Sequence, residues 1–147
     1  MIRAVLDTNI LISYLLTRHD PVASVIDVHL VQENFVLLTA PVLLKELERV
    51  LDYPKLQRYF NHPQHKRFIA LIMALSEVIE LPASVPKICR DRDDDWVIAC
   101  AVAGRADVIV SGDRDLLSLE RVDAIPILSA RQFLELLESK SDASDRA

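Results

Sequence analysis

Asp91, Asp93, Asp94 and Asp95 crowd the segment CRDRDDD, and Asp113 and Asp115 follow in SGDRD, beyond an alanine-rich stretch and the apolar run Val108 to Val110. Asp7 stands earlier, in VLDTN, and Glu46 and Glu48 lie between. Carboxylates are hard oxygen ligands and proton carriers, but brought together they repel: at ~4 Å and an effective dielectric near 20, each like-charged pair costs about 4 kcal/mol. A divalent cation relieves that repulsion and acidifies the water it holds. Little histidine accompanies the acids, which favours magnesium or manganese over softer metals.

For these side chains to meet, the fold must carry them to one edge. Ile2 to Leu6 is a short apolar run ending at Asp7-Thr8-Asn9, with Ile10, Leu11, Leu15 and Leu16 after it. This predicts a buried parallel strand, then a helix capped by Thr8 or Asn9. Asp7 then lies at the strand's carboxyl end, where open α/β sheets bind their ligands. Asp20-Pro21 predicts an N-cap and first helical residue ahead of the stripe Val22, Val25, Ile26 and Leu30, and Phe35 to Leu38 a second strand. From Pro41 to Asp52, Leu43, Leu44, Leu47, Val50 and Leu51 keep helical spacing. Glu46 borders that stripe on one side and Glu48 on the other, so the wheel does not choose between them.

Tyr53 to Ile79 reads as helical with a basic opening of Lys55, Arg58, His62, His65, Lys66 and Arg67, Pro63 fitting the first turn of the longer helix. Val78 to Leu81 is a candidate short strand. The acids at 91–94 then open a helix carrying Val97, Ile98, Ala101 and Val102. Negative residues favour a helix start by ~0.3–1 kcal/mol each, so capping is the plain alternative to metal binding for this run. Gly104 closes the helix, Asp107 to Ser111 forms a strand, and Gly112 permits the turn presenting Asp113. Ile125 to Leu128 is the last strand, Ala130 to Glu138 a closing helix, and 139–147 a polar, flexible tail. The fold class is α/β: one domain over 1–138, with a mainly parallel sheet of four to five strands covered by helices on both faces. Leu15, Leu16, Val22 and Ile26 serve either core or a dimer interface.

Bulk properties and failed motifs narrow the function. The 147 residues are 51% hydrophobic and 27% charged, which describes a single globular domain. The absence of a signal-peptide pattern and of a membrane-spanning apolar run predicts a cytoplasmic protein, and Cys89 and Cys100 are expected to be reduced packing residues. A net charge of −5 argues against nucleic-acid binding by bulk attraction, but not against an acidic pocket that holds metal for a nucleic-acid substrate. Asp91, Asp93 and Asp95 imitate a calcium loop, but Trp96 occupies the required glycine and Val102 the bidentate glutamate. His62 and His65 have no third zinc ligand nearby, and two glycines, Gly104 and Gly112, cannot build a Walker or dinucleotide loop. Asn9 stands where a phosphoaspartyl phosphatase carries its second aspartate, and no lysine follows the last strand as a receiver domain would require.

The segments Val5 to Leu11, Leu43 to Leu47, CRDRDDD with its AVAG helix end, Ala106-Asp107 and Ser111 to Leu117 resemble the PIN domain, in particular the branch of toxin components of toxin–antitoxin pairs related to VapC-type ribonucleases. The similarity runs from Val5 to about Leu137 and implies an α/β/α sandwich and metal-dependent cleavage of single-stranded or structured RNA to 5′-phosphate and 3′-hydroxyl ends. By position it makes Asp7, Glu46, Asp94 and Asp113 the catalytic quartet, thereby choosing Glu46 over Glu48. Asp95 replaces the family's asparagine and Ser111 its usual threonine. Thr8, Asn9, Asp95, Ser111 and Asp115 match accessory positions.

With the residue types, the resemblance implies that Asp7, Asp94 and Asp113 hold one or two magnesium or manganese ions, while Glu46 orients or deprotonates water or binds a second ion. Arg58, Lys66, Arg67 and Arg90 are candidate phosphate contacts. The implied partners are an RNA substrate, a cognate antitoxin and a second copy of the chain. The alternative is a non-catalytic PIN-like module that binds antitoxin or RNA, against which the four retained acids speak.

Overall fold

Alternation along each strand decides how this chain layers. Ala4 and Leu6 face one way and Val5 the other, and all three are buried, so helices must cover both faces of the sheet. The computed structural model describes residues 1–59 and 62–146. Its strands are β1 (Arg3–Leu6), β2 (Val36–Thr39), β3 (Ser76–Val78), β4 (Val108–Val110), β5 (Arg121–Val122) and β6 (Ile125–Leu128), in one sheet of order β3-β2-β1-β4-β6-β5. All neighbours are parallel except β5 and β6. The register places Ala4 between Leu37 and Val108.

The helices are α1 (Thr8–Thr17), α2 (Val22–Ser24), which continues as a π-helical stretch Val25–Leu30, α3 (Pro41–Leu51), α4 (His62–Leu75), α5 (Arg92–Ala103), α6 (Arg114–Leu117) and α7 (Ala130–Arg146). One core joins Ile10, Leu11 and Tyr14 of α1 to Val22, Val25 and Ile26, to Phe68 and Ile72 of α4, and to Phe133, Leu134 and Leu137 of α7. The other packs Val97, Ile98, Cys100 and Ala101 of α5 and Leu116 of α6 on Val5, Leu38 and Ile109. This is the expected three-layer sandwich, with six strands where four to five were expected, the added one being the two-residue β5. Cys89 and Cys100 are free and buried, as packing residues should be.

Several boundaries differ from expectation for local reasons. The N-cap of α1 is Asp7, because the Thr8 hydroxyl turns away to Glu46 at 3.3 Å. Asp20 precedes Pro21 across a cis bond, and its Oδ1 accepts from the Ser24 N–H and hydroxyl; Pro21 rather than Asp20 holds the N-cap position, and α2 starts at Val22. Tyr53 to Tyr59 is a set of turns rather than helix, with Leu56 and Tyr59 N–H groups bonding three residues back and Leu56 buried as the anchor. The third strand pairs at Ser76–Val78, earlier than Val78 to Leu81, and α7 continues past Glu138 as far as Arg146, no glycine or proline interrupting it. Ala147 lies outside the described residues. Val22 and Ile26 are core, whereas Leu16 is 39% exposed. Gly112 has an ordinary negative φ, so it supplies no special turn geometry.

Candidate active site

The chain adds β2 and β3 on one side of β1 and then returns to lay β4 on the other. Between β1 and β4 the winding therefore reverses, which opens a crevice at the strands' carboxyl ends. Asp7 follows β1 and Asp113 follows β4, so these acids flank the crevice from adjacent parallel strands. Ser111, fully buried, ties them: its Oγ donates to Asp7 Oδ2 at 2.8 Å and accepts the Asp113 N–H at 3.0 Å. Helix α5 brings Asp94 to the same place, and α3 brings Glu46. Asp7, Glu46, Asp94 and Asp113 all line one cleft of about 430 Å³.

Capping explains only part of this. Asp91 caps α5 through the Asp93 N–H at 3.0 Å, and Asp113 Oδ1 caps α6 through the Asp115 N–H at 2.8 Å. Asp7 occupies the N-cap of α1 yet makes no capping hydrogen bond, although the Thr8 and Asn9 N–H groups attract its charge. Asp94 is buried to 4% exposure, and its Oδ2 has no hydrogen-bond partner among the described residues. The Asp113 carboxylate faces it, but two ionised carboxylates share nothing without a proton or a cation between them.

The electrostatics record this crowding. Burial, then Asp113, Asp7 and Asp91, push the Asp94 carboxyl up to about 7. Burial, then Asp93 and Asp7, push Glu46 up to about 7 against the opposing Thr8 hydroxyl and Arg49. Burial also raises Asp7; the Ser111 hydroxyl opposes this and Asp113 reinforces it. Arg49, one turn beyond Glu46, pairs with Asp93 at 3.4 Å across the cleft rim.

The accessory residues separate by role. Asp95 turns away from the cleft: Oδ1 accepts the Ile88 and Cys89 N–H groups at 2.9 and 2.7 Å, and Oδ2 meets the Arg92 guanidinium at 3.2 Å. Burial raises its pKa, but these donors outweigh it and hold the carboxyl below its ordinary range. Thr8 and Asn9 line the cleft, while Asp115 is exposed and contributes its N–H. Glu48 is exposed away from the cleft that Glu46 lines. Arg58 and Arg67 line neighbouring recesses, and Lys66 and Arg90 are exposed outside them. Reading by motif passed over Arg49 and the apolar wall formed by Ile12, Leu16 and Val50. Both carry a helical-spacing signal: Arg49 is three residues after Glu46, and Ile12 and Leu16 continue the face begun by Thr8.

No three His, Cys, Asp or Glu side chains among the described residues already form a metal-ligand cluster. The donor set nonetheless suits a hard divalent cation: it is all oxygen, mutually repulsive, and includes a buried oxygen with no hydrogen-bond donor among the described residues.

Comparison with known proteins identifies the family and the fold. The family model of the PIN domain matches residues 3–115. An uncharacterized protein of Methanocaldococcus jannaschii, MJ1680, is 33% identical over 120 residues, 80% of this chain and 75% of its own length. A chain of VapBC2 from Rickettsia felis, solved bound to a DNA fragment from their promoter, superposes with a TM-score of 0.61 at 15% identity, covering 87% of this chain and 98% of its own. PAE2754 from Pyrobaculum aerophilum gives a TM-score of 0.59 at 15% identity over 94% of this chain and 90% of its own. At these identities the two structures attest the fold, and the matched sequence from β1 through the Asp113 turn adds the family: the chain belongs to the PIN domain family.

Proposed function

We propose that the protein is a magnesium- or manganese-dependent endoribonuclease working in the cytoplasm, the toxin of a type II toxin–antitoxin pair. The observation that carries this reading is the buried Asp94 carboxylate, facing Asp113 and Asp7 across the crevice with one oxygen that has no hydrogen-bond partner among the described residues. Asp7, Asp94 and Asp113 are the residues to hold the metal, which when bound supplies an acidified water and neutralises charge on a scissile phosphate. Asp7 is held for this by Ser111, and Asp113 by Ser111 and the start of α6. Glu46, which accepts the Thr8 hydroxyl at 3.3 Å and lines the same cleft, is the residue to orient water and take up its proton. Without a bound cation the ionised acids of the cleft would repel a phosphodiester.

The toxin assignment draws on the likeness to a VapBC2 chain, whose structure is of a pair bound to promoter DNA. An antitoxin protein is the partner proposed on that ground, and a homodimer is compatible with it. The test is incubation with RNA in magnesium or manganese beside an Asp94→Asn variant. Cleavage should occur with the native protein, stop in EDTA and fall at least a hundredfold in the variant. Equal cleavage by both proteins, or cleavage in EDTA, sinks the role given to Asp94 and the metal.

A further inference from the structure

Beyond the acidic cleft lies a surface of opposite character. Leu16, at its rim, also lines a second recess of about 530 Å³ with Lys55, Arg58 and Tyr59. Tyr59 in turn lines a third recess, of about 330 Å³, with Arg18, Arg67 and Phe68. The three depressions thus share walls and form a track running from the proposed metal site over the turns between α3 and α4. Among the described residues no carboxylate lines the second or third recess, in a chain with 22 acids against 17 lysines and arginines.

Two features fix what such a track can hold. Arg18 is not a loose surface charge: its Nη1 donates to the Tyr14 hydroxyl at 2.9 Å, and its guanidinium lies 4.5 Å over the Tyr14 ring, itself stacked on Phe68. A cation held this way presents its remaining N–H groups in a set direction. Tyr59 is 68% exposed, yet its N–H is bonded to the carbonyl of Leu56, which is buried. The ring is therefore left in water on an anchored turn, flanked by four cations. A base in a duplex has both faces covered by its neighbours, and only an unpaired base can stack on such a ring.

We infer that Tyr59, with Lys55, Arg58, Arg18 and Arg67, forms a binding track for single-stranded nucleic acid that leads a strand into the acidic cleft. Tyr59 stacks an unpaired base and the cations take flanking phosphates. The inference rests on the nuclease reading for the direction of the strand, but its contacts are independent of the metal site. It makes Tyr59 a positioning residue that selects single strands and touches none of the reacting atoms.

The test is binding rather than turnover. Fluorescence anisotropy with a labelled single-stranded oligoribonucleotide is measured on the Asp94→Asn protein, alone and with Tyr59→Ala, Tyr59→Phe or the pair Lys55→Gln and Arg58→Gln added. Tyr59→Ala should weaken binding roughly tenfold and Tyr59→Phe leave it unchanged. The lysine–arginine pair should lower the slope of log affinity against log salt by about 0.7 for each phosphate that the variant no longer neutralises. The matching RNA duplex should bind more weakly and ignore Tyr59. A deoxy strand bound equally well, and equally dependent on Tyr59, supports the track and assigns it to single strands of either sugar.

Affinity unchanged in all these variants, or a duplex bound as tightly as the strand, overturns the track. If the native protein cuts RNA while Tyr59→Ala binds and cuts as well, the track fails and the nuclease stands. If Tyr59-dependent binding is seen but the native protein cuts nothing, the track stands and the nuclease fails.

Discussion

Ser111 and the neighbours Asp94 and Asp95 show how little of a side chain's role its type announces. Ser111 is a single buried hydroxyl that donates to Asp7 and accepts from Asp113, joining two strand ends that bear acids. Ser111→Ala should leave a buried carboxylate oxygen and an N–H unmatched and cost about 1–3 kcal/mol, read by urea unfolding. It should also lower divalent-ion affinity, because Asp7 loses the bond that orients it. Retention of full metal affinity in a folded Ser111→Ala protein would remove that positioning role. Asp94 and Asp95 are adjacent in the sequence but about 100° apart around the helix, so one enters the cleft and the other meets the loop before α5. Composition cannot say which does which, since helix phase is set by the Ile88 and Cys89 N–H groups that seize Asp95. Asp95→Ala should therefore destabilise the protein by roughly 3 kcal/mol at pH 7 without changing metal affinity in the cold, where it remains folded. Since the Asp95 carboxyl sits below its ordinary pKa, the stability it contributes is present above the unfolded value and fades as pH falls through the folded one. The gap between Asp95→Ala and native protein should accordingly shrink in acid.

At the scale of elements, legibility tracked length and periodicity. The stripes of α3 and α5 are readable because their apolar residues recur at helical spacing, and β1, β4 and β6 because a buried parallel strand reads as a continuous apolar run. Elements of two to four residues, β5 and α6, are too short to show a period, and each depends on a tertiary partner: β5 on β6, and α6 on the cap that Asp113 provides. The turns at Tyr53 to Tyr59 mimic helix in composition, yet buried Leu56 and bonds three residues back hold them otherwise. The two glycines looked alike in sequence and differ in kind. A Cβ on Gly104 would meet Leu38 Cδ1 at 2.9 Å, the Cys100 carbonyl at 3.0 Å and Ile79 Cγ1 at 3.1 Å, whereas one on Gly112 meets nothing within 4 Å. Gly104 lets the end of α5 lie close against β2, and its carbonyl accepts from the Arg3 guanidinium at 2.8 and 3.1 Å. Gly104→Ala should cost about 1–3 kcal/mol by overpacking, and Gly112→Ala should be near neutral in stability. A reversed order in thermal melts would mean that α5 does not depend on this close approach.

For the whole molecule, the decisive quantity is the charge that folding collects at one sheet edge. Unfolded, the carboxylates of Asp94 and Glu46 titrate near their ordinary values; folded and without metal, burial and mutual repulsion lift each to about 7. Asp7 moves in the same direction. Between those limits the folded chain holds protons that the unfolded chain has released. Raising the pH therefore favours unfolding, and the stability these groups contribute, complete below about pH 4, is lost as pH passes through 7. The metal-free protein should melt several degrees lower at pH 8 than at pH 5.5, where protonation still masks the repulsion. Magnesium or manganese competes with those protons for the same oxygens, so at pH 8 saturating ion should restore the melting temperature, by about 2.7 kcal/mol at a hundredfold excess over the dissociation constant, and do less at pH 5.5. Asp94→Asn removes a repelling charge while keeping the shape, and should flatten the metal-free pH dependence and abolish most of the rescue. Stability that is level or rising from pH 5.5 to 8 in EDTA, or rescue by the ion that is undiminished in Asp94→Asn, would show that these acids do not form one electrostatic unit.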